Sequence, residues 1–89
     1  MTDISIRLAE LQDERKRLDA LLDDAVVQFA LVEEDMNVRM KAATPAELQE
    51  LMAERARIED ALGIAQLVDR IDDIRGLIAQ LQAAALAAA

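Results

Sequence analysis

Eighty-nine residues leave room for one domain. Hydrophobic residues make up 54% of the chain, yet Phe29 is its one aromatic, and cysteine, histidine, tyrosine and tryptophan are absent. That composition excludes a disulfide scaffold, a zinc finger, a thiol nucleophile and histidine-based acid–base chemistry. Ten basic against eighteen acidic residues give a net charge of −8. Such a chain lacks the electrostatic footprint and the stacking platforms for nucleic acid.

At the N-terminus, MTDISIRLAELQDERK carries an early acid and no apolar core segment, so it does not read as a signal peptide. A heptad stripe then runs Ile4, Leu8, Leu11, Arg15, Leu18, Leu22, Ala25, Phe29, Val32, Met36, Arg39, Ala43. Strand alternation cannot imitate steps of three and four over five heptads, so the spacing predicts a first helix over about 3–43.

Within that helix the segment 25–32, Ala-Val-Val-Gln-Phe-Ala-Leu-Val, is apolar at seven of eight positions. One seam against one partner helix cannot bury it all round. Leu21, Val27, Leu31 and Val38 read as a second apolar stripe that an intrachain partner leaves uncovered. Apolar residues left in water on this scale normally mark an interaction site. The expected protein interface is therefore Leu21, Val26, Val27, Leu31 and Val38, with Ile64 and Val68 from the second helix. It involves residues 25–32 and 58–68, and its partner is another protein or further copies of the chain.

Thr44-Pro45-Ala46-Glu47 is the clearest punctuation in the sequence. Threonine at N-cap and glutamate at N3 form a capping box, and proline at N1 sacrifices no hydrogen bond. Pro45 also disfavours helical geometry at Thr44, so the first helix must stop nearby. The turn is placed at 43–45 and the second helix at about 45–86. That helix carries two apolar series out of phase, Leu48, Leu51, Arg55, Ile58, Leu62, Ala65 and Ile64, Leu67, Ile71, Ile74, Ile78, Leu81, Ala85. Gly63 lies at their junction, where a kink or a change of packing partner would absorb the mismatch.

A short connection folds consecutive helices back on each other. The fold class expected is thus all-α, with residues 1–89 forming a single hairpin of two long antiparallel helices that assembles into a larger bundle. Facing residues should pair Leu8 with Leu81, Leu11 with Ile78, Leu18 with Ile71 and Leu22 with Leu67, and bring Met36 near Met52. The same register sets Arg55 near Glu34, Arg39 near Glu50 and Arg15 near Asp73. The alanine-rich tract after Gln82 favours helix but has no cap and should fray.

Catalytic, metal and cofactor sites are not expected. Glu33-Glu34-Asp35 are successive on a helix and point about 100° apart. Asp19/Asp23 and Asp69/Asp73 share faces but have no histidine beside them, and Ser5 has no base to activate it. The longest uncharged stretch, 76–89, is too short and too rich in alanine to span a bilayer. A soluble, cytoplasmic protein without nucleic-acid or membrane partners is the expectation.

The turn Thr44-Pro45-Ala46-Glu47-Leu48-Gln49-Glu50-Leu51, followed by Ile58-Glu59-Asp60-Ala61-Leu62-Gly63-Ile64, resembles one known family. These segments look like the small E-component co-chaperones of type III secretion systems, the YscE/PscE type. The resemblance covers about the middle third of the chain, rests on motifs that any capped hairpin needs, and fails beyond Val68, where this chain is longer. The aromatic residue often found just after the turn in that family is also missing here. The resemblance implies a co-chaperone or adaptor that, with a TPR-like partner, keeps a needle subunit from polymerising. The alternative role is a self-assembling coiled-coil subunit of a phage particle or filament.

Overall fold

The computed structural model describes residues 2–88. Three helices account for almost all of them: α1, Thr2–Lys41; α2, Pro45–Leu62; and α3, Ile64–Ala88. The fold is all-α, with long helices packed antiparallel. By its packing the chain divides into two compact units, the described parts of Met1–Leu22 with Gln66–Ala89 (unit 1), and Asp23–Ala65 (unit 2).

Unit 1 holds a contiguous core. Leu11 and Leu18 of α1 bury with Ile71, Ile74 and Ile78 of α3, and Leu8, Leu22, Leu67 and Leu81 pack against them. All eight residues of the expected facing pairs are in this cluster. Ile74 is sealed completely, at 0% exposure. Every apolar member of the second series of the second helix is buried or half-buried, because a stripe repeating every 3.5 residues stays on one face. Arg70 Nη2 donates to Glu14 Oε1 at 2.9 Å on the exposed flank of this pair. Arg15 pairs with Asp19 one turn along its own helix, at 3.8 Å, and not with Asp73. At i,i+4 the Asp19 carboxylate is a neighbour of Arg15 on the helix surface.

Unit 2 is built around the turn. The α1 helix ends two residues before the expected boundary, because its last bonds tighten: Ala42 and Ala43 donate to Arg39 and Met40, each three residues back, at 3.3 Å. Thr44 then leaves the helix at φ −70°, ψ 163°, and its Oγ1 accepts from the Glu47 N–H at 3.3 Å. Pro45 occupies the first turn, where its missing N–H costs nothing. Of the capping box, the hydroxyl half forms; among the described residues the reciprocal bond, from the Thr44 N–H to the Glu47 carboxylate, does not.

The second long helix is not continuous. Gly63 adopts the left-handed conformation, φ 70°, ψ 26°, and its N–H closes on Asp60 O at 3.1 Å. A side chain at that φ would crowd the following carbonyl, so glycine alone sits there without strain. Gly63 thereby ends α2 and lets α3 start in a new phase, the change that the two apolar series require. The alanine tract continues α3 to Ala88.

Candidate functional site: the uncovered face of unit 2

Unit 2 has little interior. Ala25 and Met36 of α1 are its buried apolar residues, and α2 buries none. Phe29, Val32, Leu51, Ile58 and Leu62 are half-buried and complete the seam. Beside the seam, Arg55 Nη2 donates to Glu33 Oε2 at 2.6 Å, and its guanidinium carbon lies 5.6 Å from the centroid of the Phe29 ring. This is the cross-helix pair expected with Glu34, moved one residue along α1. Arg55 Nε is buried without a partner, so the arginine is held by charge and stacking and is not fully satisfied. Arg39 shares a surface depression with Glu50 but pairs with Asp35 of its own helix, at 4.0 Å.

The sequence-predicted interface residues divide clearly by exposure. Val27, Leu31 and Val38 are 60%, 63% and 67% exposed. At about 100° per residue they lie within about 40° of one another and about half a turn from Ala25, Phe29 and Met36. They therefore form the back of α1, facing away from the seam. Val26 is also exposed, but about 100° round the helix from Val27, on the flank. Ile64, the first residue of α3, is half-buried within unit 2. Leu21 and Val68 are exposed, and both belong to unit 1.

In unit 2, two exposed apolar residues escaped the sequence reading. Leu48 and Met52 of α2 are both exposed, although heptad spacing assigns Leu48 to the seam and register brings Met52 near Met36. Met36 is 2% exposed and Met52 is 57% exposed, so the two methionines do not share a core. The signal was available in composition: the turn-proximal stretch of α2 carries Glu47, Glu50 and Glu54 around Leu48 and Met52, too polar a surround for a closed core. In unit 1, Ile6, Leu77 and Leu86 are exposed as well, scattered along the helices. Single exposed apolar residues of that kind are ordinary.

Among the described residues, no group of three or more acidic side chains converges in a way that could hold a metal ion. No described helix is long and apolar enough to cross a membrane. No family model, curated protein or solved structure matches the chain.

Proposed function

We propose that this chain is a non-enzymatic protein-interaction module, a small adaptor or co-chaperone subunit whose unit 2 is completed by another polypeptide. One observation carries the reading: Val27, Leu31 and Val38 form an exposed apolar stripe on a unit that buries only two apolar side chains. Burying a valine or leucine side chain is worth about 1.5–3 kcal/mol, so three per chain can decide an association. The valines support it further. They are weaker helix formers than alanine, so their presence on a solvent face serves packing against something else. The likeness of the turn and of Leu62-Gly63-Ile64 to the type III secretion co-chaperones gives one form of the role, with a TPR-like partner. Self-assembly into a structural particle gives the other.

The test is the assembly mass in solution, with and without co-expressed partner candidates, for the natural chain and for Val27→Glu with Leu31→Glu. Two buried carboxylates should dissolve the assembly and leave the helices intact by circular dichroism. If the double variant keeps both its assembly mass and its partner affinity, the interaction reading fails.

A further inference from the structure

The back of α1 carries, at heptad spacing, Asp24, Val27, Leu31, Glu34, Val38 and Lys41, all of them exposed. All six belong to unit 2. The charges at the two ends have opposite sign, and among the described residues Asp24, Glu34 and Lys41 take part in no ion pair. The two ends, Asp24 with Val27 and Val38 with Lys41, are complementary when the stripe is turned end for end, while Glu34 between them meets Leu31 and no base.

We propose that the occupant of this face is a second copy of the chain, bound through antiparallel pairing of the two α1 helices about a two-fold axis between Val32 and Glu33. The proposal rests on the reading that another polypeptide completes unit 2, and names that polypeptide. In this register Val27 meets Val38 of the second copy, Leu31 meets Glu34, and Asp24 meets Lys41, each contact occurring twice by symmetry. Alternating a-type against d-type positions is the layer pattern of antiparallel helix seams. Two competing registers lose the pairing of Asp24 with Lys41. Pairing Val27 with Leu31 sets Asp24 against Glu34, two acids. A parallel, in-register pair sets Asp24, Glu34 and Lys41 each against its own copy. Like charges placed opposite one another destabilise by as much as opposite charges stabilise. Glu34 is the poorest member of the chosen register, because its two copies lie about 4.5 Å apart along the axis. Its stem packs on Leu31 of the second copy while the carboxylate reaches water at the edge.

The experiment uses the absence of cysteine from the chain. Val27→Cys and Val38→Cys are made separately and treated with a short bifunctional thiol cross-linker, alone and mixed. In the proposed register, two copies of residue 27 lie about 16 Å apart along the axis, as do two copies of residue 38, whereas 27 faces 38. Cross-linked dimer should form in the mixture and in neither variant alone. Cross-linking of Val27→Cys with itself means a parallel pair or a two-fold axis near residue 27 and overturns the proposal, as does a monomeric mass for the natural chain at about 100 µM.

Charge exchange is the second arm. Lys41→Asp should weaken the dimer roughly tenfold, with two pairs lost and two repulsions gained, and adding Asp24→Lys in the same chain should restore it. Glu34→Leu should tighten the dimer. A Lys41→Asp defect that Asp24→Lys fails to rescue overturns the register. If the natural chain is monomeric but loses a co-expressed protein partner on Val27→Glu with Leu31→Glu, self-pairing fails while the interaction reading stands.

Discussion

Ile74 and Val27 are both aliphatic, branched and helical, and their surroundings set opposite expectations. Ile74 is sealed among Leu11, Leu18, Ile71 and Ile78. Ile74→Ala leaves a cavity that neighbours on two rigid helices cannot fill, and should cost about 2–5 kcal/mol in denaturant unfolding. Val27→Ala removes a side chain already in water and should leave monomer stability within about 0.5 kcal/mol. Arg55 falls between these cases. Its Nε is orphaned, while its Nη2 and stem are engaged with Glu33 and Phe29. A methionine there keeps the stem's packing and removes the orphan, so Arg55→Met should cost less than about 1 kcal/mol, and Arg55→Ala more.

The two glycines separate what helices tolerate from what they need. Gly76 lies inside α3 and a Cβ added there meets nothing within 4 Å. Gly76→Ala should therefore stabilise by about 0.5–1 kcal/mol through the lower entropy of the unfolded chain. Gly63 is at φ 70°, and Gly63→Ala should cost about 1–2 kcal/mol. Equal effects at both positions, measured by thermal or denaturant unfolding, would mean that α2 and α3 join into one helix in solution. The element boundaries show how far the sequence could be read. Thr44-Pro45 located the turn because proline and a capping hydroxyl each restrict the backbone locally. The stop at Lys41 was not legible, since Ala42 and Ala43 are good helix formers and only the tightened last turn excludes them. The break at Gly63 was legible as a place but not as an outcome, because a phase change is met equally by a bend or by a left-handed cap. Ion pairs were the least legible: Arg15 and Arg39 were expected to meet Asp73 and Glu50 across the hairpin, and each pairs instead with an aspartate on its own helix.

At the scale of the molecule, the two units differ in how much they bury. Unit 1 encloses five apolar side chains in one cluster, and unit 2 buries Ala25 and Met36. Heptad spacing alone could not distinguish them, because a half-buried seam and a sealed core carry the same pattern. The distinction lies in what interrupts and borders the stripe. Isoleucine recurs through α3, whereas the series in α2 is broken by Arg55 and bordered by glutamates. Local opening free energy follows buried apolar contact, so amide exchange should report the difference directly. In a chain held monomeric by Val27→Glu and Leu31→Glu, amides of α2 should exchange through low-energy openings, while those around Ile71, Ile74 and Ile78 exchange only near the global unfolding limit. In the associated natural chain, protection should rise in residues 24–41, since another chain now covers the back of α1 there. Equal protection of α2 and α3 in the monomeric variant would show that unit 2 is stable without a partner, and would remove the physical reason for it to seek one.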